Sequence, residues 1–352
     1  MSALDTSVAA AMAAATLQTF AAGDVVLQSG ATLPGCEVVY ATYGRLNEHR
    51  DNVIVFPTRI AGSHVDNAYL IGPGRALDPD RWFIVVPNML GNGVSSSPSN
   101  TPAPLDGPRF PTTTHVDNVH LQRRLLVERF GVDRVALVVG WSMGGQQAYH
   151  WGALYPDAVQ RIAVLCGAAR TARHTHVFLE GMRAALTADA AFAGGDYTTP
   201  PLRGLRAMGR AWAGWALSQA FYRHEGYRGL GYSSLEDFLV RYWEGMFLGR
   251  DANNLLAMIA TWQAADVGAN PRYGGDYEAA MAAITVPALV MPGRTDLYFP
   301  PEDSAAEVEL LARGRLVVIP SDWGHYAGGA KNPADVDFVD AHLRELLEAE
   351  AS

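Results

Sequence analysis

The stretch Gly140-Trp141-Ser142-Met143-Gly144 is where this sequence could do covalent chemistry. It follows the apolar run Arg134 to Val139 (RVALVV) and opens the helical run GQQAYHWGAL. A serine on such a strand-to-helix turn stands at the C-terminal edge of a sheet, above a helix N-terminus that favours developing negative charge. The turn is too tight for side chains at its flanks, which accounts for glycine at both 140 and 144. A helix-capping serine in a glycine-rich turn is the plainer alternative, and it leaves the strand and helix on either side as coincidence.

A serine hydroxyl needs a base to become a nucleophile, and the base needs a carboxylate to orient it. On this strand–turn–helix arrangement the chain order is serine, acid, histidine. His325 follows the run LVVIP and the turn Ser321-Asp322-Trp323-Gly324, where a last strand would deliver the base. Asp296 follows the run ALVMPG and is the expected acid. Asp322 is the rival because it is close to His325, but three positions away on one turn it more readily bonds local backbone. The oxyanion is expected to be held by backbone N–H groups of Met143 and of the loop Pro57-Thr58-Arg59-Ile60-Ala61-Gly62. Pro57 has no N–H to give, so Ile60 is the expected donor and Arg59 the second choice. His174, His176 and Glu180 could suggest a metal, but on a helix only His176 and Glu180 share a face. Two surface histidines are the simpler reading, so neither metal nor cofactor is expected. His150, on the helix after Ser142, is read as packing there. Gly72-Pro73-Gly74 and Gly91-Asn92-Gly93 are turns, not phosphate loops.

Several short elements must position these residues. Val38 to Tyr43, Asn52 to Phe56, Trp82 to Val86, Arg134 to Val139, Arg161 to Cys166, Ala288 to Met291 and Leu316 to Ile319 read as strands. His115 to Phe130 carries apolar residues at helical spacing, Gly145 to Leu154 is a second helix, and Asp335 to Glu348 is a closing one. Apolar strands alternating with helices mean a mostly parallel sheet covered on both faces, an α/β fold. The alternation lapses between Thr171 and Ile284, so residues 18–170 and 285–352 are expected to form the core and 171–284 a helical insertion. Residues 1–17 read as an N-terminal tail or short helix, Ala9 to Leu17 being apolar. Four of the eight tryptophans (Trp212, Trp215, Trp243 and Trp262) lie in the insertion, either as its own core or as an aromatic cap over the site.

Composition narrows the function. The chain has 352 residues, net charge −9 and a single lysine, Lys331. That balance argues against a nucleic-acid binder, which needs a basic face, and leaves no other lysine for a Schiff base or phosphate loop. Cys36 and Cys166 are far apart in sequence with no C-x-x-C spacing, which excludes a disulfide framework and a cysteine-rich metal site. A single bridge is the alternative to the expected two buried, reduced thiols. No apolar stretch reaches the ~18 residues of a membrane span. No Lys or Arg precedes Arg45, so no signal peptide is read, and a soluble cytoplasmic protein is expected.

Together these residues resemble the homoserine O-acetyltransferase family of α/β-hydrolase-fold proteins over nearly the whole chain. The likeness rests on Tyr40-Ala41-Thr42-Tyr43-Gly44-Arg45-Leu46-Asn47, Pro87-Asn88-Met89-Leu90-Gly91 and Gly140 to Gln147. It continues in Gly194-Gly195-Asp196-Tyr197, Gly204-Leu205, Asp296 to Pro300 and Gly324-His325. The resemblance implies Ser142 as nucleophile, Asp296 as acid and His325 as base, under a helical lid that builds a homodimer. Two departures bear on subtype. The family's oxyanion loop usually reads His-Ala-Leu-Thr-Gly, and here it is Thr58-Arg59-Ile60-Ala61-Gly62, which again points to Ile60. The lid arginine that grips the amino-acid carboxylate in true acetyltransferases falls, without gaps, on Gly209, with Arg210 adjacent. A one-residue shift turns a helical side chain by about 100°. Trp215-Ala216-Leu217 replaces a tyrosine-containing stretch just downstream.

These departures resemble the ester-hydrolysing branch of the family. The expected activity is cleavage of short-chain acyl esters such as alkyl acetates through an acyl-enzyme. Acyl transfer from acyl-CoA to an amino-acid hydroxyl is the alternative, and a non-catalytic binding protein on the same fold is a minor one. Arg59, Trp141 and Arg210 are the expected substrate-binding residues.

Overall fold

In the computed structural model, which describes residues 15–349, the apolar runs assemble into one sheet. Its strands are β1 (Thr16–Val26), β2 (Thr32–Tyr43), β3 (Val53–Val55), β4 (Phe83–Pro87), β5 (Leu137–Trp141), β6 (Ile162–Leu165), β7 (Ala288–Met291) and β8 (Gly314–Leu316). The spatial order is β1-β2-β4-β3-β5-β6-β7-β8. All neighbours from β4 onward are parallel, while β2 is antiparallel to both β1 and β4. Successive side chains of a strand point to opposite faces. Ile54, Leu137 and Val139 therefore enter one apolar core while Val53, Val55 and Val138 enter the other. A strand that is apolar at every position must be covered on both sides, and these are.

Helices supply the cover. The helices α1 (His115–Phe130) and α2 (Met143–Leu154) pack on one face through residues such as Leu125 and Trp151. Thr114 and Asp117 cap α1 reciprocally, and Gly131, at φ 61°, ends it in the left-handed region. Between β6 and β7 the chain leaves the sheet as α3 (Arg173–Thr187), α4 (Leu202–Ala216), shorter turns including a π-helical stretch at Leu239–Glu244, and α5 (Ala252–Gln263). Then come α6 (Pro301–Glu309), which follows β7 and packs through Val308 with the same core as α1 and α2, and α7 (Pro333–Glu348), on the other face.

Several sequence-based limits shift. Thr16 and Leu17, placed in the tail, pair with Thr42 and Ala41 in β2, and residues 1–14 lie outside the described residues. The insertion leaves and returns at a narrow neck where Thr171 N–H bonds Ala265 O and Val267 N–H bonds Ala169 O. Val267, Ala280, Met281 and Ile284 pack with the sheet and its helices, so this stretch belongs with the core layers and not with the lid. In the run Leu316 to Ile319 only Leu316 is in β8, which begins at Gly314. Val317 N–H bonds Val290 O, and Ile319 continues toward the site in an isolated parallel bridge with Gly293, donating to Pro292 O and accepting from Arg294 N–H. Cys36 and Cys166 are separate, buried free thiols.

Candidate active site

The turn after β5 has the geometry that its glycines suggest. Ser142 sits at φ 60°, a conformation worth about 1–3 kcal/mol of strain for a residue with a side chain. A Cβ on Gly140 would lie 2.1 Å from the Gly144 carbonyl carbon, and one on Gly144 would lie 2.6 Å from Pro57 O. Neither position tolerates even alanine without moving backbone. Ser142 is buried, its N–H bonds Leu165 O at 2.9 Å, and its Oγ has no hydrogen-bond partner. The N–H of Met143 is the first of α2, one of the four that a helix cannot satisfy internally.

The acid and base meet across two turns. Asp296, just beyond β7, receives the N–H groups of Tyr298 and Phe299 on Oδ1, at 2.8 and 3.2 Å. Its Oδ2 faces His325 Nδ1 at 2.8 Å. A carboxylate held by two backbone donors is an acceptor, so Nδ1 carries the proton and Nε2 is left for the cavity. Thr295, which sequence reasoning passed over, ties the turns together: its hydroxyl accepts from Gly324 N–H and donates to Ser321 O, both at 3.1 Å. Asp322 plays no part in this, being paired with Arg294 at 2.5 Å on the surface.

Trp141 supports the base. Its indole stacks on His325 at 5.3 Å between centroids, and its Nε1–H donates to His325 O at 3.1 Å. The Arg59 guanidinium lies over the same indole, 4.7 Å from its centroid, and pairs with Asp66 at 3.2 Å. The loop carrying Ile60 is tethered from several sides, by the Asn67 amide on Phe56 O and Pro57 O and by Gln147 Nε2 on Thr58 O. Nothing in the residue types of Asn67 or Gln147 marks them in sequence, since their partners are distant backbone carbonyls.

Ser142, His325, Ile60, Arg59 and Trp141 line one cavity of about 30 Å³, closed from the lid by Trp212 and Trp262 among others. Of the four insertion tryptophans these two reach the site. Trp243 is core, and Trp215 packs on His174 and Phe178. Arg210 does not reach it. Its guanidinium bonds Glu244 and Glu236, each at 2.5 Å, and these pairs raise its pKa, so the expected substrate-binding role does not fit its position. The reason lies one residue earlier. A Cβ on Gly209 would stand 2.7 Å from Trp243 O, so α4 presses backbone to backbone against the π-helical stretch there.

His174 and His176 form no ligand cluster with Glu180, which accepts from Gln263 instead. Among the described residues, the potential metal ligands that do gather are Cys166, Asp296 and His325, mutually within 4.8 Å. Burial, then the charge of Asp296, pushes the Cys166 thiol well up, and the other two are engaged with each other. A protonated thiol is a poor ligand, so this group does not suit a metal.

A description of the alpha/beta hydrolase fold matches residues 52–329. An ethyl acetate hydrolase of Pseudomonas veronii is 37% identical, over 94% of this chain and 95% of its own. The structure of an acetylester hydrolase from Corynebacterium glutamicum superposes with a TM-score of 0.92 at 35% identity, covering 95% of this chain and 96% of that one. A homoserine O-acetyltransferase of Chlorobium luteolum is 32% identical over 91% of this chain and 90% of its own. The chain belongs to the alpha/beta hydrolase fold family, among relatives that include both ester hydrolases and homoserine O-acetyltransferases.

Proposed function

We propose that this chain is a serine hydrolase that cleaves short-chain acyl esters, alkyl acetates first among them. Ser142 Oγ attacks the acyl carbon while His325 Nε2 takes its proton, and Asp296 orients the ring and stabilises the imidazolium. The N–H groups of Met143 and Ile60 hold the oxyanion. The alcohol leaves with the proton from His325. Water, deprotonated by the same ring, then releases the acid and restores Ser142.

The observation that carries this reading is the 2.8 Å Asp296–His325 bond, set in one cavity with a strained, unpartnered Ser142 hydroxyl. The cavity is small, about 30 Å³, which supports short acyl chains. The names of the Pseudomonas veronii and Corynebacterium glutamicum relatives point the same way. Hydrolysis is favoured over transfer because the lid position that would carry an amino-acid clamp, Gly209, has no space for a side chain. The test is release of acetate from ethyl acetate, together with labelling by a fluorophosphonate. Both are expected in the wild type and lost in Ser142→Ala, and labelling that persists in the variant overturns the assignment of Ser142.

The same reading extends to assembly and compartment. Val177, Leu202, Leu235 and Val240 are large apolar side chains exposed on the insertion, where a second copy would dock in a homodimer. Two free thiols fit a reducing, cytoplasmic setting. No helix among the described residues is long and apolar enough to cross a membrane.

A further inference from the structure

Outside the cavity of Ser142 lies a wider pocket of about 450 Å³. The two share Arg59, Ala61, Trp141, Met246 and Tyr326, so the outer pocket is the anteroom of the inner one. Its charged lining is Arg59, Arg250 and Lys331 against one carboxylate, Asp66. In a chain of net charge −9, whose only lysine is Lys331, a cationic mouth runs against the overall composition.

The one carboxylate is already engaged. Asp66 pairs with Arg59 at 3.2 Å and accepts the Ser63 N–H at 2.8 Å. Arg59 keeps a buried Nε with no acceptor. Among the described residues the Arg250 guanidinium makes no hydrogen bond and no ion pair within 4 Å. Burial lowers its pKa and Arg59 adds to that, with only Asp66 acting against them. Lys331 Nζ lies 5.4 Å from the ring centre of Tyr242, on the same wall. A partly desolvated guanidinium with no hydrogen-bonded anion is an unfilled bidentate site for a carboxylate.

We propose that this anteroom binds a carboxylate on the alcohol half of the substrate, so that acetate esters of short hydroxy acids are preferred over those of simple alcohols. The inference rests on the esterase reading above and names its substrate class. The direction follows from the shared lining: Ser142 faces the small inner cavity, and a substrate half that passes Trp141 and Tyr326 enters the outer pocket where Arg250 stands. This carboxylate site uses residues other than Gly209 and Arg210, the lid positions matched to the transferase clamp.

The probes are 2-acetoxyacetate, 3-acetoxypropanoate and 4-acetoxybutanoate, each beside its neutral amide. For at least one spacer, kcat/KM for the acid is expected to exceed that for the amide about tenfold at low salt. The gap should narrow in about 0.5 M NaCl, as screening requires. Arg250→Gln should cut the acid-to-amide ratio about fivefold or more, whereas Arg315→Gln, on a distant surface pair with Glu345, should not move it. Equal rates for acid and amide at every spacer would overturn the proposal, as would a preference that survives Arg250→Gln combined with Lys331→Gln. If no ester is turned over, the esterase reading fails by itself. The anteroom is then read from the rate at which Ser142 is labelled by a carboxylate-bearing fluorophosphonate against a neutral one, and equal rates refute it.

Discussion

Trp141 and His325 touch twice: their rings stack with planes 28° apart, and the indole N–H bonds the histidine's own carbonyl at 3.1 Å. The residue before the nucleophile thus holds both the ring and the backbone of the base, which makes it a positioning residue as well as a wall of the cavity. Trp141→Phe keeps an aromatic face and loses the donor. A neutral hydrogen bond contributes about 1 kcal/mol, so kcat should fall roughly fivefold with KM little changed. Steady-state kinetics on a short acetate ester checks this. A rise in KM at constant kcat would instead make Trp141 a substrate contact only.

Gly209 separates this chain from the transferase pattern. With Trp243 O only 2.7 Å from the point a Cβ would occupy, Gly209→Ala should destabilise the fold by about 1–3 kcal/mol. Gly209→Arg should cost more, without conferring acetyl transfer to homoserine. Thermal unfolding and a homoserine assay report the two halves separately. A stable Gly209→Arg protein that makes O-acetylhomoserine would show that the lid can open the space after all.

Two buried histidines set an acid limit on stability. His115 and His150 lie 5.3 Å apart, ring to ring, beneath the site. Burial pushes His115 down to about 3, with the charge of His150 adding to it, and burial likewise pushes His150 down to about 4. Between these values and the ordinary 6.5 the unfolded chain binds protons that the folded one does not, so stability rises with pH there. The contribution is complete above pH 6.5 and is lost as pH falls toward 4. Each group adds up to about 1.4 kcal/mol per pH unit within that window. Chemical unfolding at pH 5 and pH 7 should therefore show a smaller difference in His150→Gln than in the wild type. An equal difference in both would mean that His150 takes its proton in the folded state.

The central sheet was legible because β3, β5, β6 and β7 are apolar at every position, and α1 because its spacing and cap agree. Ser142, Asp296 and His325 stood out because each follows a readable strand in one chain order, and the structure brings the acid and base into contact. What holds them was not legible. Thr295, Gln147 and Asn67 act through distant backbone, and no local pattern encodes such contacts. β1 escaped notice because its alternation breaks at Gly23, where the register with β2 shifts. Arg210 was drawn toward the site by its sequence position, although its partners Glu236 and Glu244 lie 26 and 34 residues away.

The central claim is that water takes the acyl group from Ser142. One assay decides it: purified protein receives acetyl-CoA with L-homoserine, and separately ethyl acetate, with free acetate and O-acetylhomoserine both quantified. Rapid acetate release from the ester with no O-acetylhomoserine is the predicted result. Efficient O-acetylhomoserine formation would contradict it and make the chain a transferase that grips its amino acid by some route other than Gly209.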